Sequence, residues 1–205
     1  MNHWSPPPGT QGLIFDCDGT LADTMPLHYA AWVHMLARHG MAMDEAKFYG
    51  FGGMPTSSII RLLSAESGIE VPDVTAMLHE KENMFLESLH RVEPIHNVVR
   101  IAIEHRGRMP MAVASGGYRR IVTQTLEHLG VHGWFETVVC AEDTEKHKPE
   151  PDVFLEAAAR LKLDPRKCVA FEDTDIGMEA ICRAGMFAVD VRPWLPEGHG
   201  GRGSL

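Results

Sequence analysis

The sequence has no basic stripe, no CxxC pair, no histidine spacing of a zinc site and no apolar run long enough to cross a membrane. Each absence removes a class of function. The formal net charge is -9 at pH 7. With no basic patch, nucleic acid and anionic membrane surfaces are excluded as main partners. The four cysteines, Cys17, Cys140, Cys168 and Cys182, stand apart, three of them in apolar runs. They read as small buried thiols of a cytoplasmic protein, not as a disulfide frame. Twelve histidines are scattered without HExxH or zinc-finger spacing. His128 and His132 stand four apart, but Gly130 lies between them near a helix end, so both read as surface residues. The N-terminus lacks the basic-then-apolar pattern of a secretory signal. Internal repeats are absent and nothing forces association, so a monomer is expected.

The chain has room for one α/β domain and an insertion in its 205 residues. Residues 1–11, with Ser5-Pro6-Pro7-Pro8-Gly9, read as a lead-in, and the Gly-rich residues 197–204 as a frayed end. Five short apolar runs read as strands: Gly12–Phe15, Met111–Ala114, Val138–Ala141, Cys168–Phe171 and Phe187–Val191. Helical patterns separate the later ones. Ile121, Val122, Thr125, Leu126 and Leu129 share one helical face. Further helices are expected from Pro151-Asp152 to Leu161 and from Ile176 to Ala184, the latter stopped by Gly185. Strands alternating with helices predict an α/β fold with a doubly wound parallel sheet. Residues 25–90 break this rhythm with helical patterns at Leu27–His39, Pro55–Glu66 and Val71–Leu89. They read as an α-helical cap inserted after the first strand. The expected division is a core of residues 1–22 and 93–205 and a cap of residues 23–92. Placed there, the cap overhangs the carboxyl ends of the strands, where open α/β sheets bind ligands.

Chemistry-bearing residues follow the strands. The first run ends in Asp16-Cys17-Asp18. The alternation of a strand lets the two aspartates point one way and Cys17 into the core. The second ends in Ser115-Gly116-Gly117, the third leads to Lys148-Pro149, and the fourth ends in Glu172-Asp173-Thr174-Asp175. In a parallel sheet these groups gather at one edge. Hard oxygen ligands of this kind suit Mg²⁺. Ser115 with two glycines before a helix suits a phosphate, and Lys148 suits a phosphate oxygen as a point charge. Structural readings stand beside each role. Taken alone, Asp16 could be a turn residue, Ser115 a helix cap, Lys148 a surface lysine, and Glu172 or Asp173 caps; their occurrence together favours the functional roles. Asp23 reads as a hinge or cap residue, Asp175 as a structural one, and the twelve methionines as core filler.

DCDGTLADT from Asp16 to Thr24, Ser115, Lys148 and Glu172-Asp173 together resemble the four motifs of the haloacid dehalogenase-like hydrolase superfamily, in order. His28 and Trp32, HKPEPDVF and FEDTDIGMEA narrow the resemblance to its β-phosphoglucomutase-like branch. Within that branch the chain is most similar to small sugar-phosphate phosphatases, such as the bacterial fructose-1-phosphate and 6-phosphogluconate phosphatases. The resemblance implies Mg²⁺-dependent hydrolysis of a small phosphorylated metabolite. The chemistry agrees. Asp16 is the expected nucleophile, giving a labile acyl phosphate. Asp18 is the expected general acid and base. Mg²⁺ is expected on the Asp16 carboxylate, the Asp18 backbone carbonyl, Asp173 and Glu172, the last directly or through water. Ser115, Gly116 and Lys148 are the expected phosphate contacts, and His28, Gly53 and Thr56 the expected substrate contacts in or beside the cap.

A mutase of this branch must hold a second phosphate, with a Lys-Gly pair and a following Arg in the cap. Here Gly52 stands at the Lys position and Thr56 at the Arg position, and Phe48 to Ile60 contains no Lys or Arg. The cap is therefore expected to lack the mutase's cations. A receiver-like phospho-acceptor shares the acidic cluster and the Lys, but Asp18 and the insertion argue against it. Dehalogenation would leave Asp18 and Glu172-Asp173 without a task. The Gly-rich stretch Gly50–Gly53 suits close approach of backbone to a compact ligand.

Overall fold

The computed structural model describes residues 4–195; the expected frayed segment 197–204 lies outside them. In chain order the elements are β1 (Gly12–Phe15), α1 (Met25–Arg38), α2 (Glu45–Gly50), α3 (Thr56–Ser67), α4 (Val74–Glu87), α5 (His96–His105), β2 (Met111–Ala114), α6 (Arg119–His128), β3 (Thr137–Val139), α7 (Asp152–Leu161), β4 (Cys168–Glu172), α8 (Asp175–Arg183) and β5 (Phe187–Asp190). The five strands form one parallel sheet in the order β3-β2-β1-β4-β5. Every residue of β1, β2 and β4 is buried, as a parallel sheet covered on both faces requires.

The period of two decides which face each residue joins. Leu13, Phe15, Met111, Val113, Val169 and Phe171 pack with Val98 and Ala102 of α5 and Val122 and Leu126 of α6. Their neighbours Ile14, Ala112, Ala114 and Ala170 face Phe154 and Ala157 of α7 and Ala180 and Ile181 of α8. Phe15 stacks on Phe171 with ring centroids 4.6 Å apart. Cys17 is fully buried on the first of these faces.

Helices α1 to α4 form the insertion between β1 and β2. Its own core contains Trp32, Leu36, Phe48, Ile60 and four methionines, Met35, Met41, Met43 and Met77. The methionines fill the cap, as flexible side chains suit. The two connections to the sheet lie side by side: Ala22 bridges Pro94, and the Asp23 amide donates to the Glu93 carbonyl at 2.9 Å.

Two helices escape the sequence pattern. The six-residue α2 is too short to display a period, and Asp44 starts it by accepting from the Lys47 amide at 2.7 Å. The other is α5, which presents Val98, Val99, Ile101 and Ala102 to the core. Boundaries shift for local reasons. The third strand begins at Thr137 and stops at Val139, not Ala141. The Asp143 carboxylate accepts from the Cys140 amide at 2.7 Å and draws Ala141–Asp143 into a 3₁₀ turn. Helix α4 begins at Val74 because Asp73 caps it, accepting from the Ala76 amide at 2.9 Å. The expectation of buried thiols holds for Cys17, Cys140 and Cys168, whereas Cys182 on α8 is exposed.

Candidate active site

The carboxyl ends of β1, β2 and β4 bring three of the four sequence clusters together, and the loop after β3 supplies the fourth. Asp16 directly follows β1, its amide held by the Phe171 carbonyl at 3.0 Å. Lys148 places its Nζ 2.7 Å from Asp16 Oδ1 and 2.7 Å from Glu172 Oε2. Its side chain is 1% exposed, so it is not the surface lysine its type alone suggests. Glu172 is also buried, and its Oε1 accepts from the Asp173 and Thr174 amides at 3.2 and 3.0 Å and from the Thr174 hydroxyl at 2.7 Å. Thr174, not Glu172 or Asp173, caps α8, accepting from the Gly177 amide at 3.1 Å. Asp173 Oδ1 accepts from Thr20 at 3.0 Å.

Carboxylate oxygens of Asp16, Glu172 and Asp173 lie within 4.8 Å of one another. Three carboxylates around a single ammonium leave net negative charge in a buried place. Burial, then Glu172, pushes Asp16 up to about 7 against the pull of Lys148. The same two causes, with Asp16 added, hold Asp173 well above the usual carboxylate range. Burial works to lower Lys148, but Asp16 and Glu172 outweigh it and hold the ammonium above its ordinary value. A divalent cation among these oxygens would relieve the repulsion, and the all-oxygen donor set fits Mg²⁺. Gly19 keeps the place open. It has φ of +85°, and a Cβ there would sit 2.2 Å from Asp173 Oδ2, so a side chain here would strain the backbone and push the Asp173 carboxylate aside.

Asp18 turns to different company. Its Oδ1 accepts from Thr24 Oγ1 at 2.7 Å and lies 3.2 Å from His28 Nε2. His28 Nδ1 lies 2.9 Å from Lys81 Nζ, and the imidazole stacks on Phe85 at 3.9 Å between centroids. Burial works to raise Asp18, but the His28 and Thr24 hydrogen bonds prevail and hold it below its ordinary value. Burial and then Lys81 lower His28. Burial pulls Lys81 down to about 8, against Asp18 and Glu82.

Both aspartates open on one cavity of about 100 Å³ between sheet edge and cap. Ser115 and Gly116 line it from the core, as do His28, Gly53 and Thr56 from α1, the α2–α3 loop and α3. Ser115 does not cap α6, whose cap position is Tyr118; its Oγ accepts instead from the Gly117 amide at 3.0 Å. The close backbone approach expected around Gly53 is made to the core itself. A Cβ on Gly116 would lie 2.7 Å from the Gly53 carbonyl oxygen. Asp23 lies in the connection, and Asp175 is a structural partner of Arg192 at 2.7 Å.

The sequence reading missed Lys81 and Glu82, which also line the cavity. The expectation of a cap without cations, drawn from residues 48–60, is corrected by Lys81 on α4, a buried ammonium at the site. The signal was available. Met77, Leu78, Lys81, Glu82 and Phe85 form the buried stripe of α4, so two charges stand where helical periodicity calls for apolar residues.

Residues 13–191 match the haloacid dehalogenase-like hydrolase family. The chain is 40% identical over 185 residues to the fructose-1-phosphate phosphatase YqaB of Escherichia coli (strain K12), covering 88% of this chain and 96% of that one. It is 28% identical over 194 residues to the β-phosphoglucomutase of Bacillus subtilis (strain 168), covering 91% and 85%. Among solved structures, a β-phosphoglucomutase from Clostridium difficile has the same fold, with a TM-score of 0.80 at 23% identity over 88% of this chain and 84% of that one.

Proposed function

The chain belongs to the haloacid dehalogenase-like hydrolases and is a phosphoric monoester hydrolase of that family, and from this premise we propose that it hydrolyses a small sugar phosphate with Mg²⁺ through a phosphoryl group carried on Asp16. The observation that supports this reading most is the contrast between Asp16 and Asp18, which share a cavity but not an environment. Asp16 attacks phosphorus, and the bond to the sugar oxygen breaks. The leaving alkoxide takes a proton from Asp18. Water then gives its proton to Asp18 and attacks the acyl phosphate, releasing phosphate and restoring Asp16. Held ionised by Thr24 and His28, Asp18 stands ready for the water step; an incoming phosphate anion raises its proton affinity for the first step. Lys148 offsets charge on the phosphoryl oxygens, and Ser115 with the Gly116 amide orients them.

Asp16, Asp173 and the Asp18 backbone carbonyl would hold Mg²⁺. Glu172 would act through water, because both its oxygens are already engaged. When bound, Mg²⁺ supplies further charge neutralisation at the transferring group. Residues 23–92 act as the cap over a core of residues 1–22 and 93–205. The three buried thiols fit a reducing compartment such as the cytoplasm, and the protein acts as a monomer. Of the cations lining the cavity among the described residues, Lys148 is engaged by carboxylates and Lys81 by His28. Lys148 is committed to the carboxylates around Asp16, Lys81 lies beside the Glu82 carboxylate, and positions 52 and 56 carry Gly and Thr where the mutase pattern has Lys and Arg, which favours a phosphatase over a mutase.

A phosphate-release screen over sugar phosphates, with and without Mg²⁺, tests this reading. The expected result is release from a ketose or polyol phosphate only with Mg²⁺, and no bisphosphate-dependent isomerisation of β-glucose 1-phosphate. Isomerisation faster than phosphate release would overturn it.

A further inference from the structure

Glu82 is 3% exposed and lines the cavity from the cap, yet its Oε1 has no hydrogen-bond partner among the described residues. Its Oε2 lies 3.5 Å from His79 Nδ1 and 3.9 Å from Arg120 Nη1, contacts too long for good hydrogen bonds. The adjacent Lys81 is turned to His28. Apolar side chains of Trp32, Ile59 and Ile121 share the cavity wall, so little else there can satisfy the oxygen. Leu78 and Phe85 on the same stripe of α4 indicate what the fold alone would place at this position. A carboxylate in such a place is costly unless something donates to it. It accepts hydrogen bonds only and repels anions.

We infer that Glu82 is a specificity-determining residue: its free oxygen accepts hydrogen bonds from hydroxyl groups of a neutral sugar or polyol, and its charge rejects substrates carrying a second anion toward the cap. This rests on the sugar-phosphatase reading. It also gives a positive reason for refusing bisphosphates, beyond the Gly and Thr that stand at positions 52 and 56 in place of the mutase pattern's Lys and Arg.

The test compares kcat/KM of the wild type, E82Q and E82L on fructose 1-phosphate, fructose 1,6-bisphosphate and phenyl phosphate. The wild type should prefer the monophosphate to the bisphosphate by about 100-fold. E82Q keeps an acceptor and loses the charge, so it should narrow that preference about tenfold, mainly through a lower KM for the bisphosphate. E82L loses both, and KM for fructose 1-phosphate should rise about tenfold while phenyl phosphate is affected less. Both variants should unfold at or above the wild-type midpoint, because they remove an unsatisfied buried charge. An unmoved preference in E82Q, an equal loss on all three substrates, or a lowered midpoint in both variants would overturn the inference. If the wild type is active on sugar phosphates, those outcomes leave the phosphatase reading standing. A wild type that releases phosphate from no sugar phosphate overturns both.

Discussion

Asp16 and Asp18 stand two residues apart and face one cavity, but the two sides of that cavity treat a carboxylate in opposite ways. On the sheet side, Asp16, Glu172 and Asp173 crowd around one ammonium, and burial raises Asp16 and Asp173. On the cap side, Asp18 meets a hydroxyl, an imidazole and, behind it, Lys81, and its carboxyl is lowered. The first neighbourhood is short of positive charge, which a bound cation would supply. The second holds its own compensation and its own titratable neighbours, which suits the handling of protons. The residues between the aspartates and the cap, Gly19 to Thr24, let one short segment serve both: Gly19 makes room for Asp173, and Thr24 reaches back to Asp18.

The largest effect should come from the sheet side. Asp16→Asn removes the proposed nucleophile, and steady-state phosphate release should fall by about 10⁴-fold or more. Undiminished turnover would end the assignment. Asp18→Asn strikes the other side and sharpens the contrast. Turnover should fall by about 10² to 10⁴-fold. Mg²⁺ affinity, read by titration calorimetry, should stay within a few-fold, because only the backbone carbonyl of Asp18 is assigned to the metal. A large loss of Mg²⁺ affinity with an unchanged maximal rate would merge the two sides into one metal site and remove the division of labour.

The sheet side was legible in the sequence, and the cap side only in part. Asp16, Lys148 and Glu172 sit at the ends of buried runs or in loops beyond them, where a period of two and a parallel sheet converge all ends on one edge. Each such residue is local to its motif. Lys81 and Glu82 belong to no motif. They reach the cavity because α4 packs beside α1, and only the tertiary fold brings residue 81 within 2.9 Å of residue 28. The same holds for α2 and for the end of β3, which are decided by single side-chain caps at Asp44 and Asp143 rather than by periodicity. The methionines, by contrast, were legible as packing, because a cap core of this shape asks only for apolar volume.

The smallest effect is thermodynamic and tests the cap side without turnover. Lys81 is lowered to about 8 in the folded protein from 10.5. Below pH 8 both states carry its proton, and the folded state bears the full cost of the buried ammonium. Between about pH 8 and 10.5 the unfolded chain binds more protons at this site, so stability rises with pH; above that window the cost is gone. Lys81→Met should therefore abolish this rise, and below pH 8 it should be more stable than the wild type by up to about 3 kcal/mol. The crowded carboxylates give the opposite slope. Asp16, raised from 3.8 to about 7, favours the folded state fully at pH below its unfolded value. That contribution is lost as pH rises through about 7, so metal-free protein should weaken across that window in both proteins. Urea unfolding of metal-free wild type and Lys81→Met from pH 5 to 10 separates the two terms, since only the alkaline one should vanish in the variant. An alkaline rise that survives in Lys81→Met would mean the ammonium is not strained by its burial, and the cap would then be no reservoir of titratable charge beside Asp18.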